Sequence, residues 1–389
     1  MKLLVVINSP LFDACLPLLK RLRDKCELSC LFEVYPESTN QMEIGVECFG
    51  SRKVIQGTEV PVLQKYSDYF PLSNTKIIRF YRPSQLPKHL LMMKTLKKTI
   101  EGFNPDYVYF YNVPYSSLMF VYSSHIPWAM AVHDPQLHSS QDNAGYYKIM
   151  RRIIFRKCKH FFLFSNNLID GFVKYYGLPR ENVHLTRLGA YEQLSQSSDK
   201  TEIHDGLRIL FFGSVNSYKG LRYLLEAYKK LKQKGFMDVF LTVLGKGYIE
   251  NDIIDLNTEG LTIINRFYSA EELESELNKS DLVVCPYTDA TQSGVVMSAY
   301  AFNKPCLVTN VGGLTEMVCH MENGFIVNPS DSAALYEAIV YIRNNKEVTK
   351  KWSENIQKKY GEEGECGWNQ IANNLISDFN KILNYANRD

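Results

Sequence analysis

Lys219 stands where an apolar, β-prone run, Leu207–Phe212, hands over to a run with helical spacing, and Gly220 follows it. A helix N-terminus presents unpaired N–H groups and about half a positive charge. A lysine beside it adds a mobile cation, and the combination attracts phosphate. Read alone, the same residues also make an ordinary surface turn with a solvated lysine. A second stretch bears on the choice. The apolar run Leu282–Pro286 ends in a polar loop, and a helix of small residues starts at Ser293-Gly294. Gly294 allows close backbone approach, and its amide and that of Val295 can cradle a pyrophosphate. A further strand ends in Asn310-Val311-Gly312-Gly313. Two glycine-bearing loops and a lysine on one rim form a diphosphate site. If they do not converge, the glycines merely permit tight strand-to-helix turns.

The elements that must position these residues alternate. In the first half Leu3–Ile7, Leu28–Val34, Lys76–Tyr81, Asp106–Tyr111, Trp128–His133, Phe161–Phe164 and Val183–Leu188 read as strands between amphipathic helices. After the polar stretch Tyr191–Gly206 the alternation restarts with Leu207–Phe212, Asp238–Leu244, Leu261–Asn265, Leu282–Pro286, Cys306–Thr309 and Phe325–Val327. Ser269 with Glu272 reads as a capping box. Continuous apolar strands between helices indicate α/β architecture with parallel sheets covered on both faces. The pattern predicts two Rossmann-like, doubly wound domains, residues 1–200 and 201–366, facing across a cleft. The amphipathic tail 367–389 is expected to be a helix packing back on the first domain.

Composition narrows the function. The 389 residues are 45% hydrophobic and 22% charged, with a net charge of +2, so no nucleic-acid partner is expected. The nine cysteines have no C-x-x-C pair and complete no zinc pattern. They read as reduced core thiols in a cytoplasmic protein. The run Leu3–Ile7 is too short for a secretory h-region, and no apolar run is long enough to span a bilayer.

"FFG" (Phe211–Gly213) before "YKG" (Tyr218–Gly220) is followed by "LGKG" (Leu244–Gly247), "DLVVCPY" (Asp281–Tyr287), "AYAFNKPCLVTNVGGLTEMV" (Ala299–Val318) and "NGFIVNPSD" (Asn323–Asp331). This succession resembles the retaining family 4 glycosyltransferases of the GT-B fold. "NPDYVYFYN", "AVHDPQLH", "FFLFSNN" and "VHLTRLG" in the first half resemble it more loosely. The resemblance implies a nucleotide diphosphate sugar donor in the inter-domain cleft, a glycan or lipid-linked acceptor, and no other cofactor. Lys219 matches the lysine that holds the donor diphosphate. Ser214 stands where the family usually has an arginine, and a hydroxyl carries no charge. The family's two glutamates fall on Ala290 and Ser298; Asp289, Gln292 and Ser293 are the candidates to contact the donor sugar, and Ser298 the ribose. Arg266 falls where the family lines the base pocket; it stacks on a base or pairs with a surface carboxylate. His133 lies where the family often has a histidine near the reacting sugar, with His138 in the same loop. The glycine loop of the family is replaced by Ile7-Asn8-Ser9-Pro10.

No D-x-D triplet occurs, so a metal-independent, front-face reaction is expected, with the leaving diphosphate held by Lys219 and helix-end amides. Missing glutamates also leave open a non-catalytic GT-B subunit, and the two-domain plan is shared with sugar-nucleotide epimerases. Lys148, Arg151, Arg152 and Arg156 on the helix Asp142–Cys158 are expected either to meet an anionic membrane face or to solvate a helix whose isoleucines face its own core.

Overall fold

The computed structural model describes residues 1–36, 42, 44–81, 85–135, 144–194, 205–249, 255 and 257–386. The chain forms two compact units, Met1–Arg187 with Trp368–Asp389, and Leu188–Gly367.

In the first unit the strands are β1 (Lys2–Asn8), β2 (Glu27–Val34), β3 (Val54–Gln56), β4 (Thr75–Arg79), β5 (Tyr107–Phe110), β6 (Trp128–Val132), β7 (Phe161–Leu163) and β8 (Val183–Leu185). The helices between them are α1 (Phe12–Arg23), α2 (Leu86–Gly102), α3 (Leu118–Ser123), α4 (Ala144–Phe155) and α5 (Ile169–Tyr176). The sheet order is β3-β4-β2-β1-β5-β6-β7-β8, parallel except for β3 against β4. That short antiparallel edge strand has no counterpart in the sequence pattern, because three residues give no readable period.

In the second unit β9 (Leu207–Phe212), α6 (Leu221–Gln233), β10 (Val239–Leu244), β11 (Leu261–Ile264), α7 (Ala270–Lys279), β12 (Leu282–Cys285), α8 (Gly294–Ala301), β13 (Cys306–Thr309), α9 (Leu314–Met317) and β14 (Gly324–Val327) follow in turn. Two further helices, α10 (Ser332–Asn344) and α11 (Lys346–Tyr360), complete it. All strand pairs in this sheet are parallel, in the order β11-β10-β9-β12-β13-β14. Strands such as Leu282–Cys285 are buried along their whole length, as a sheet covered on both faces requires. Helix α6 buries Leu221, Leu224, Leu225, Tyr228 and Leu231 against it, the spacing of an amphipathic stripe.

Helix α12 (Trp368–Ala386) returns to the first unit. There it lies beside α1, and the Phe379 ring packs 5.0 Å from Tyr107, 5.1 Å from Tyr109 and 5.5 Å from Phe162. The unit boundary falls at Leu188, ahead of the expected residue 200. Tyr191 explains the difference: its amide donates to Met297 O on α8 at 3.1 Å, tying residues 188–194 to the second unit. The remainder of the expected linker, 195–204, and His138 lie outside the described residues. The cysteines are free thiols, six of them buried. No helix of the described residues is long and apolar enough to cross a membrane.

Candidate nucleotide-diphosphate site

Sheet order reverses between β9 and β12. In open α/β sheets the crevice outside the carboxyl ends at such a reversal takes the ligand. The loop after β9 carries Lys219 and the loop after β12 leads to α8, so both candidate phosphate-binding features belong to this crevice.

Glycines make the loops fit. Gly213 ends β9 at φ +103°, and a Cβ there would lie 2.9 Å from Lys219 Nζ and 3.6 Å from Val295 Cγ2. The lysine head and the first turn of α8 thus converge on one glycine. Gly220 has φ +65°, and its Cβ would meet Pro286 O at 1.9 Å; no other residue type lets the turn press so closely on the neighbouring strand end. The amide of Thr288 donates to Tyr218 O at 2.7 Å, closing the same contact. Loop 213–215 is zipped to loop 245–247 by Val215 N donating to Lys246 O at 2.9 Å.

Lys219 is only 9% exposed. Its Nζ sits 5.4 Å from the centroid of the Tyr287 ring, and no carboxylate pairs with it among the described residues. Burial pulls its pKa down, opposed by Cys285. Burial pushes the Cys285 thiol up to about 11, against the nearby Lys219 charge. A buried cation without a counterion is costly. An anion in the crevice would remove that cost.

Helix α8 supplies the other half. Ser293, buried, caps it by accepting the Val296 amide at 3.3 Å. The amides of Gly294 and Val295 then remain for a ligand, as at any helix start. Ser298 is buried on the same helix. Tyr191 packs over this helix start, with its Oη 3.3 Å from where a Gly294 Cβ would be. Sequence reasoning left Tyr191 in the linker and gave Tyr287 no role; an aromatic next to a strand-end proline was the available signal for Tyr287. Gly312 (φ +47°) backs against Ala290 O, where a Cβ would lie 1.6 Å away. The third loop therefore buttresses the loop before α8.

The other expected residues have their own surroundings. Ser214 is exposed, and its Oγ accepts from Asn216 Nδ2 at 3.1 Å. Asp289 is exposed and Gln292 half-buried on the loop before α8, and both are engaged with neighbours. Arg266 pairs with Glu272 and donates to Phe267 O at 2.9 Å. Glu272 is also the far member of the Ser269 capping box.

His133, after β6, lies in the first unit. Its Nε2 bonds Tyr111 O at 3.0 Å and its ring stacks on Phe164 at 4.4 Å. Burial lowers its pKa to about 4, against Asp134 and the Tyr111 carbonyl. The ring is neutral near pH 7, and the bond to a carbonyl places the proton on Nε2. Arg151 corrects the expected basic face of α4. It is buried, donating through Nε to Tyr115 Oη at 2.8 Å and through Nη1 to Asp134 O. Lys148, Arg152 and Arg156 remain exposed beside Tyr146 and Ile149.

Residues 195–359 match the family model described as "Glycosyl transferases group 1". An amylovoran biosynthesis glycosyltransferase of Erwinia amylovora is 27% identical over 169 residues, 41% of this chain and 41% of that protein. The match thus spans less than half the length of this curated relative. Two solved structures share the fold over nearly the whole chain. The HepE protein of Anabaena, in complex with UDP, superimposes with TM-score 0.67 at 17% identity, covering 97% of this chain and 100% of that one. A sucrose-phosphate synthase of Thermosynechococcus elongatus gives TM-score 0.70 at 14% identity, covering 99% and 100%. Residues 195–359 are thus similar to glycosyltransferase group 1 domains, and the two-domain α/β chain has the GT-B fold of these solved structures.

Proposed function

We propose that the protein is a retaining glycosyltransferase that takes a sugar from a nucleotide diphosphate donor. The observation that carries this reading is the buried Lys219 ammonium, which has no carboxylate partner among the described residues and lies against Gly213 and the start of α8. Lys219 and the amides of Gly294 and Val295 hold the diphosphate, with Ser293 and Ser298 on the same helix lining the donor side and Gln292 and Asp289 next to the sugar. As the bond from the anomeric carbon to phosphate breaks, negative charge grows on the leaving oxygen. The ammonium and the helix-end amides stabilise it in a site shielded from water. The acceptor hydroxyl bonds to the anomeric carbon on the face the phosphate leaves, and that phosphate oxygen takes its proton. This route needs no carboxylate at Ala290 or Ser298. His133, neutral, serves as a hydrogen-bonding group toward the sugar rather than as a base.

Calorimetric titration with UDP, ADP, GDP and dTDP, followed by mass-spectrometric screening of nucleotide sugars for hydrolysis or transfer, tests the reading. Wild type is expected to bind at least one nucleoside diphosphate and turn over a donor; binding of none of them refutes it. Binding with no turnover of any donor favours a non-catalytic GT-B subunit, the reading that the residues at 290 and 298 keep in view.

A lipid-linked acceptor is supported by α4, where exposed Ile149 and Tyr146 share the helix with exposed Lys148 and Arg152, and exposed Arg156 follows its last residue. Apolar side chains ringed by basic ones suit an anionic membrane surface.

A further inference from the structure

Strand β14 ends the sheet order of the second unit, so its outer side has no neighbouring strand. A groove of about 830 Å³ is lined by this strand, by His320 and Met321 ahead of it, and by Ala334, Glu337 and Tyr341 of α10. Cavities of this size with aromatic walls and a few polar groups take small organic ligands.

The walls follow from local chemistry. His320 Nδ1 accepts the Ile326 amide at 3.0 Å, and its ring lies 4.5 Å from Phe325. An Nδ1 that accepts leaves the imidazole proton on Nε2. The Tyr341 ring lies 5.7 Å from the same phenylalanine. Three rings thus gather at the start of β14.

Met321 stands at φ +64°, in a turn closed by its amide donating to Gly324 O at 2.8 Å and by Glu322 N donating to Cys319 O at 3.0 Å. Left-handed backbone is unusual for a side chain of this size, and strain of this kind collects at ligand clamps. The methionine that this turn displays is 38% exposed. An apolar, adaptable side chain is thereby held at the groove instead of in the core.

The charge of the groove is one-sided. Glu337 is exposed, and no cation pairs with it among the described residues. No lysine or arginine is among the described lining residues, and Asn310 and Thr315 add neutral polar groups. An anion would meet a carboxylate and electron-rich ring faces. A neutral apolar molecule would leave the carboxylate unused. An ammonium on an apolar body suits both: the body packs on Met321 and Phe325, and the charge is held by Glu337 and the ring faces.

We infer that this groove binds an organic ammonium compound with an apolar body. The inference is independent of the diphosphate reading, since the residues named for the two sites are different.

The test uses the full chain and saturation-transfer NMR titrations with phenethylammonium and benzyltrimethylammonium. Phenethyl alcohol and phenylacetate serve as the neutral and anionic counterparts. Wild type binds at least one of the two cations about threefold or more tighter than the alcohol, and phenylacetate is the weakest. Glu337→Gln weakens cation binding about threefold or more and leaves the alcohol unchanged. Ala334→Leu fills the groove and weakens both, with melting temperature as the check on folding. Glu337 is exposed and unpaired among the described residues, so Glu337→Gln decides the matter even if Ala334→Leu unfolds. No cation bound by wild type, a cation bound no more tightly than the alcohol, or unchanged cation binding in Glu337→Gln overturns the inference.

Discussion

The Lys219 ammonium lies 5.4 Å above the Tyr287 ring, in a crevice where no carboxylate meets it among the described residues. The ring face is electron-rich, and it holds a cation in place without neutralising its charge. The lysine is thus kept charged and aimed while its electrostatic demand stays open. Lys219→Ala is expected to lower UDP affinity about tenfold or more, since a charge-assisted phosphate contact is worth about 1.5–3 kcal/mol. Tyr287→Leu keeps the apolar volume and loses the ring face, and should cost about two- to fivefold. Calorimetric titration with UDP measures both. Equal affinity for Lys219→Ala and wild type would remove the diphosphate site.

Gly220 combines φ +65° with a Cβ position 1.9 Å from Pro286 O. Gly220→Ala must therefore open the contact between the turn after β9 and the end of β12. A loss of about 2 kcal/mol or more in unfolding free energy is expected, measured by urea denaturation. UDP affinity should fall with it, because the same turn carries Lys219.

His133 gives the protein an acid-sensitive term. Its folded pKa, about 4, lies below the ordinary value of 6.5. The unfolded chain takes up a proton at this residue below about pH 6.5 that the folded chain refuses. Stability from this group is complete above that pH and is lost progressively down to about pH 4. His133→Phe keeps the stacking on Phe164 and removes the titration. Its melting temperature is expected to fall less than that of wild type between pH 7 and pH 5. Parallel curves would show that the imidazole titrates normally.

Arg266 is engaged at the capping box of α7, through its pair with Glu272. Both side chains are largely exposed, and such pairs contribute little. Arg266→Ala should leave UDP affinity within about twofold of wild type. A tenfold loss in the same titration would return the residue to the base pocket.

On α4 the exposed and buried arginines separate two properties. Neutralising Lys148, Arg152 and Arg156 together is expected to reduce sedimentation with phosphatidylglycerol vesicles and to leave thermal stability nearly unchanged. Arg151→Ala should do the reverse, since it strips partners from Tyr115 and the Asp134 carbonyl. Unchanged sedimentation of the triple variant would dismiss the membrane contact.

Much of this was legible along the chain. Apolar strands alternating with helices announce a parallel α/β sheet, because both faces must be covered and period alone reports that. The Ser269–Glu272 box was readable for a similar reason: capping is a contact between residues three apart. The short strand Val54–Gln56 was not readable, since its place depends on β4 rather than on its own pattern. Tyr191 read as linker because its partner is Met297, far along the chain. Arg151 looked like its neighbours Arg152 and Arg156, and only the packing of Tyr115 distinguishes it.

What the sequence determined by itself is the local chemistry: a lysine and glycine at one strand end, the start of a small-residue helix after another, and the acidic positions that are missing. These follow from residue type and near neighbours. Only the tertiary structure decided which of them act together. The reversal of strand order beside β9 and β12 brings Lys219, Gly213 and Val295 to one point. Burial then sets the charge state of each group, and burial is a property of everything packed around a residue, which no short stretch of chain contains.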